Sequence, residues 1–282
     1  MDFVHYEPTS EILKEYVDFF YFVKQDCVDQ VSFFAFPHIN KPVNIHRNID
    51  FVIGKNETLV VGKSGMDSNV LIQGAFEEPL LVKFLGKIDK VTILFKDGAV
   101  CNFIDKYFEN VAPLHTQLLL EWEQNPKYNK FVHAFFSSEN HQEQLLQLES
   151  FLLSILNEKG DWKLYKKASA LLQNVESSVR ISEIANDLCM SERTLYRLIY
   201  KYNGISPMNY KKIVQFRHSL KNQLISEQFK MLTDIAHESN YYDSSHFNKI
   251  YKSLTKKNPG SFFDNLSKYC NQKLIFENRK NV

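Results

Sequence analysis

The sequence predicts an α+β chain in two parts. Residues 1–160 read as a small antiparallel β-barrel or sandwich with flanking helices, and residues 161–282 as an all-α unit with two helix-turn-helix motifs joined by a linker helix. Three observations carry this prediction. Short β-branched and aromatic runs recur at roughly 10-residue spacing through the first hundred residues, divided by glycine and proline. After Asp97 the apolar spacing changes to a helical period. Finally, Ile184-Ala185 and Ile235-Ala236 stand 51 positions apart, each opening a stretch that reads as helix, tight turn and second helix ending near a proline.

The elements follow in order. Thr9-Ser10 supplies a cap and Glu11 an acidic first turn, with apolar residues at 12, 13, 16, 17, 19 and 20, so a short helix is expected through Phe20. Strands are expected at Val31–Phe36, Ile49–Ile53, Thr58–Val61, Val70–Gln73, Leu80–Leu85 and Val91–Phe95. Helices are expected at Ala99–Phe108, Leu114–Glu123 and His141–Asn157. On the last, Leu145, Leu148, Leu152 and Ile155 share one face, widened by Leu146, Leu153 and Leu156. A stripe this wide packs on its own domain or forms a helix-pair dimer interface. The polar stretch Asn157–Asp161, with Gly160, marks the expected domain boundary.

Charge separates the same two parts. The chain of 282 residues has a formal net charge of +1. Residues 1–160 hold 14 Lys/Arg against 22 Asp/Glu, a net of −8, and residues 161–282 hold 20 against 11, a net of +9. A polyanion is drawn to the second part and repelled by the first, as expected of a sensor or assembly domain joined to a nucleic-acid-binding one. Cys27, Cys101, Cys189 and Cys270 are scattered, which argues for reduced thiols rather than disulfides or a zinc site. His38 and His46 lack the tight spacing and acidic partner of a metal site, so neither metal nor cofactor is expected. The N-terminus lacks a secretory pattern and no stretch is apolar enough to span a membrane, so a cytoplasmic protein is expected.

In the first copy of the repeat, Ser182 is expected to cap a helix burying Ile184, Ala185 and Leu188, and Ser191 a second burying Leu195, Leu198, Ile199 and Tyr202. Ser191, Arg193, Tyr196, Arg197, Tyr200 and Lys201 remain outside. The second helix of such a unit enters the major groove of double-stranded DNA, which makes Arg193, Tyr196 and Arg197 the expected base readers. Asn203-Gly204 ends that helix, and Ser206-Pro207 starts a linker helix running to about residue 224, roughly 25 Å long. Its Lys211, Lys212, Arg217 and Lys221 are either phosphate contacts or a solvated face. In the second copy Thr233 and Asp243 are the expected caps, leaving Ser244, Ser245, His246, Asn248 and Lys249 available to DNA.

Residues 163–267 resemble the C-terminal DNA-binding domain of the AraC/XylS family of bacterial transcription regulators. The first copy carries its S-x-R-x-L-x-R pattern at Ser191, Arg193, Leu195 and Arg197, and its G-I-S-P at Gly204–Pro207. The second carries Ile235, Ala236, Asp243, Ser245, His246, Phe247, Lys252 and Pro259 at the family's positions. Three departures stand out: Asn240 replaces the turn glycine, Lys256 stands where the family has glycine in G-x-S-P, and Ile199-Tyr200 replaces the common Phe-Lys. The first 110 or so residues are similar to the β-rich sensor domain found ahead of such regulators, especially from Gly74 to Ala99. The resemblance implies two reading helices in successive major grooves, Lys252 among the contacts, and RNA polymerase as a partner. A homodimer and a small-molecule effector of unidentified kind are further expectations. Two other functions stay open: a non-specific architectural DNA-binding protein, and a β-barrel enzyme with a DNA-targeting domain. No nucleophile elbow, phosphate loop or metal triad supports the enzyme.

Overall fold

Two six-stranded sheets dominate the N-terminal part of the computed structural model, which describes residues 2–26, 29–65, 67–112, 116–175, 179–225, 243–264, 266–269 and 274–278. The strands are β1 (Asp2–Tyr6), β2 (Val17–Gln25), β3 (Gln30–Ala35), β4 (Lys41–Arg47), β5 (Ile49–Ile53), β6 (Glu57–Gly62), β7 (Ser68–Gln73), β8 (Leu80–Leu85), β9 (Ile88–Phe95), β10 (Thr116–Leu118), β11 (Ser267–Tyr269) and β12 (Leu274–Asn278). One sheet runs β1-β2-β9-β4-β7-β10 and is antiparallel throughout. The other runs β11-β12-β3-β8-β6-β5, with β6 and β8 parallel.

Side-chain alternation separates two cores. Phe19, Tyr21 and Val23 of β2 join Phe33, Val60, Leu71, Val82 and Phe84 between the sheets. Phe20 and Phe22 join Val43, Ile45, Val91 and Ile93 on the opposite face, beneath the helices. Covering both faces explains a correction: the helix expected through Phe20 is only a short 3-10 turn at Leu13–Glu15, and Val17–Gln25 is a strand. A strand buried on both sides has no polar alternation, and its continuous apolar run imitates helical spacing.

The helices are α1 (Phe108–Val111), α2 (Leu120–Glu123), α3 (Pro126–Ser137), α4 (His141–Ile155), α5 (Trp162–Gln173), α6 (Ile181–Asp187), α7 (Glu192–Asn203), α8 (Pro207–Ile225), α9 (Ser244–Thr255) and α10 (Pro259–Phe263). The helix expected at Ala99–Phe108 is a 3-10 turn at Ala99–Phe103, and residues 116–118 of the one expected at Leu114–Glu123 form β10. On α4, Leu145, Leu148 and Leu152 are buried in the chain's own core, whereas Leu146 and Leu153 stay exposed.

The charge-defined halves meet across a buried junction. Asp97, after β9, accepts hydrogen bonds from Tyr165 Oη at 2.7 Å, Tyr210 Oη at 2.5 Å and Gln173 Nε2 at 3.1 Å. Burial raises its carboxyl pKa against the lowering effect of the tyrosines and Lys41. Gly98 beside it has φ 66°, and a Cβ there would lie 2.3 Å from the Tyr165 ring. Beyond the helical unit the chain returns to the sheets: Phe276 of β12 pairs with Ala35 of β3. This return is not anticipated by the sequence reading.

Candidate nucleic-acid interface

The first helix-turn-helix motif is built by local chemistry. Glu183 Oε2 accepts the Arg180 backbone N–H at 2.8 Å, so α6 begins at Ile181, and Ser182 lies within its first turn instead of capping it. Ile184 and Ala185 are fully buried, and Ala185's small side chain suits the close approach of α6 and α7. The turn passes through Cys189 at φ 51°, and the Met190 N–H closes on the Ala185 carbonyl at 2.9 Å. Ser191 Oγ then accepts the Thr194 N–H at 3.1 Å and starts α7. Gly204 at φ 72° ends α7, while Ser206 Oγ and Pro207 start α8 as expected.

With Leu195, Leu198, Ile199 and Tyr202 turned inward, α7 leaves Arg193, Tyr196, Arg197 and Tyr200 exposed. Tyr196 and Tyr200 stack with ring centroids 5.9 Å apart, forming an aromatic shelf beside the arginines. Ser191 is exposed at the end of the helix that points its N–H groups outward.

Helix α8, 19 residues or about 28 Å long, packs on both α7 and α9. Asp243 Oδ1 accepts the His246 N–H at 2.7 Å and caps α9 as expected. Ser244, Ser245, Asn248, Lys249 and Lys252 are exposed, and His246 is half-buried. Asn248 Nδ2 donates to the Ser244 carbonyl at 2.8 Å, a bond it must release to pair with a base. Lys256 adopts φ 60° at the family's glycine position, and Asn258 Oδ1 accepts the Ser261 N–H at 2.9 Å to cap α10, so the helix ends despite the missing glycine. The first helix of the second copy, with Thr233, Ile235, Ala236 and Asn240, lies outside the described residues.

Two expected DNA contacts face elsewhere. Lys201 pairs with Asp161 and lies 4.0 Å over the Tyr107 ring. Arg217 donates from Nε to the Pro37 carbonyl at 2.7 Å and from Nη2 to the Phe36 carbonyl at 2.6 Å, docking α8 on the N-terminal part. Both are corrections with one physical reason: helix periodicity places a side chain on a face but does not say what covers that face. Lys211 likewise donates to the Val179 carbonyl at 2.6 Å, whereas Lys212 and Lys221 remain exposed.

Sequence reasoning also missed a polar group between the sheets. Lys90, Asn44 and His46 are buried there, and their one visible signal is polar residues interrupting the apolar runs of β4 and β9. Among the described residues no His/Cys/Asp/Glu group fits a metal ion, and no helix is long and apolar enough to cross a membrane.

Residues 184–265 match the family model described as a helix-turn-helix domain. The HTH-type transcriptional activator RhaS of Enterobacter sp. (strain 638) is 27% identical over 193 residues, covering 66% of this chain and 66% of that protein. RhaS of Yersinia pestis bv. Antiqua (strain Angola) is 24% identical over 176 residues, covering 57% of this chain and 63% of that protein. The chain thus spans just under two thirds of the length of these relatives. A 1.65 Å structure of ToxT from Vibrio cholerae covers 94% of this chain and 98% of its own with a TM-score of 0.49 and 11% identity, a loose likeness. The matched domain and the RhaS relatives make this chain similar to helix-turn-helix transcriptional activators.

Proposed function

We propose that this protein is a sequence-specific DNA-binding transcription regulator, without enzymatic activity, that reads successive major grooves with α7 and α9 under the control of its N-terminal sheets. The observation that carries this reading is the exposed face of α7. Arg193 and Arg197 stand there one turn apart, both exposed, on a helix fixed at both ends by Ser191 and Gly204. An arginine so placed can bind guanine O6 and N7 together. Helix α9 offers the softer set of Ser244, Ser245, Asn248 and Lys249, with Lys212 and Lys252 placed for phosphates.

Two copies associate in this reading through α4, where Leu146 is 64% and Leu153 38% exposed, a pair spaced for a helix-on-helix seam. Contact with RNA polymerase follows from the activator role of the named relatives, and a small-molecule effector from the N-terminal sheets.

The test is affinity for a promoter fragment selected by the protein itself, set against random DNA. A specific reader prefers the selected site by about 10³ or more. Equal affinity for both makes the protein architectural, and unchanged affinity in both Arg197→Ala and Lys249→Ala overturns the two-helix reading.

A further inference from the structure

We infer that α7 reads the 5-methyl group of thymine through the stacked rings of Tyr196 and Tyr200, so that a thymine close to the arginine-bound guanine is a determinant of the site this protein selects. This deepens the proposed function by naming the base that the aromatic face takes, and it rests on that reading.

Two exposed rings share the face of α7 that carries the arginines. Tyr196 is 46% and Tyr200 36% exposed, and their rings lie nearly parallel, 10° apart with centroids at 5.9 Å. The four-residue spacing sets one above the other on the helix, so they form a single flat apolar surface. Tyr202 of the same helix is fully buried, whereas ring area left in water forgoes the gain of burial until a partner covers it. The pair is this chain's own: Tyr200 stands where the resembled pattern commonly has lysine. Arg193 and Arg197 are exposed beside it, and residues 193–200 rise about 10 Å, roughly three base pairs at about 3.4 Å each.

The apolar surface continues past the helix. Tyr196 walls a groove of about 340 Å³, together with Ile181 at the start of α6 and Pro207 and Met208 at the start of α8. Met208 is 57% exposed. Glu192 and Arg193 at this groove carry opposite charges, so it has no net positive charge with which to hold a phosphate. The net charge of +9 on residues 161–282 nevertheless draws double-stranded DNA to this part of the chain. On the major-groove edges of the bases the thymine methyl is the apolar group, set among hydrogen-bond donors and acceptors. A surface of ring carbons gains by burying that methyl, while the arginines beside it take guanine O6 and N7. The two kinds of side chain on α7 thus divide the bases between them by chemistry.

In the experiment the full chain selects a duplex site from a random pool, and each thymine of that site is then replaced singly by deoxyuridine, which removes the methyl and keeps the base pairing. At about 150 mM salt the unaltered protein is expected to lose about three- to fivefold in affinity at one or more thymines within about three base pairs of a guanine. Removing both rings, Tyr196→Ala with Tyr200→Ala, is expected to bring that loss below about 1.5-fold, whereas Tyr196→Phe with Tyr200→Phe keeps it. A selected site without thymine, no loss at any thymine with the unaltered protein, the same losses in the double alanine variant, or their disappearance in the double phenylalanine variant each overturns the inference. The deoxyuridine scan needs no variant to fold. A protein that binds its selected site no better than random DNA overturns the proposed function and this inference together, and preference for the selected site with indifference to every methyl overturns this inference alone.

Discussion

Replacing Arg197 and Lys201 separately with alanine distinguishes a base reader from a docking residue one turn away on the same helix. Arg197 is exposed and sits on a helix whose ends are set by Ser191 and Gly204, so its loss leaves α7 folded. A bidentate arginine–guanine pair is worth about 1–3 kcal/mol. At about 1.4 kcal/mol per decade, promoter affinity is expected to fall roughly 5- to 150-fold with little change in Tm. Lys201 and Asp161 are each 26% exposed, between the surface pairs worth about 0–1 kcal/mol and the buried pairs worth about 3–5 kcal/mol. Asp161 keeps hydrogen bonds from Tyr107 at 3.0 Å and Tyr202 at 2.8 Å in the variant, which limits the damage. Lys201→Ala is therefore expected to cost about 1–2 kcal/mol, a Tm lowered by about 2–6 °C, with promoter affinity kept within about twofold. Fluorescence anisotropy at about 150 mM salt and a thermal melt of the same preparations measure both. The reverse pattern, affinity kept in Arg197→Ala and lost tenfold in Lys201→Ala at unchanged Tm, refutes the division of the two roles.

Three further substitutions probe the fold. Gly98→Ala places a methyl group 2.3 Å from the buried Tyr165 ring at φ 66°, and combined overpacking and left-handed strain of about 2–5 kcal/mol should appear as a lower urea midpoint; an unchanged midpoint contradicts the close approach. Lys256→Gly relieves a left-handed residue at φ 60° and gives up an exposed pair with Glu78, for a net gain of about 0.5–1 kcal/mol in chemical denaturation; a loss of stability argues against the strain. Lys90→Met tests the buried charge by its pH dependence. The folded pKa of about 7 lies below the ordinary 10.5, so between them the unfolded chain binds the extra proton and parent stability rises with pH. The gain from Lys90→Met is thus expected to be largest near pH 6 and to shrink toward pH 10, and an equal gain at both ends rules out the depressed lysine.

Much of the architecture was legible where local chemistry decides it. Ser191, Asp243 and the Ser206-Pro207 pair act as helix starts in the structure, because a cap needs only its own backbone within three residues. The strands at Ile49–Ile53 and Leu80–Leu85 appear within the bounds their β-branched and aromatic runs suggest. Strands β2 and β4 were missed for a different reason: each is covered on both faces, and the alternation that reveals a half-exposed strand is absent. Helices α3 and α5 were missed too, and both are now seen to pack in the core through Tyr128, Phe135, Trp162 and Tyr165.

For the candidate interface the division runs between residue type and residue partner. By itself the sequence determined which side chains of α7 lie on one face and that Arg193, Tyr196 and Arg197 share it, since a period of 3.6 residues is a property of the chain alone. Only the tertiary structure decided that Lys201 faces Asp161, that Arg217 is spent on the carbonyls of Phe36 and Pro37, and that Lys90 is enclosed between two sheets with no acid paired to it among the described residues. For the two ion and carbonyl contacts the deciding neighbour lies 40 or more positions away in sequence, and the energy of a charge depends on what surrounds it in space.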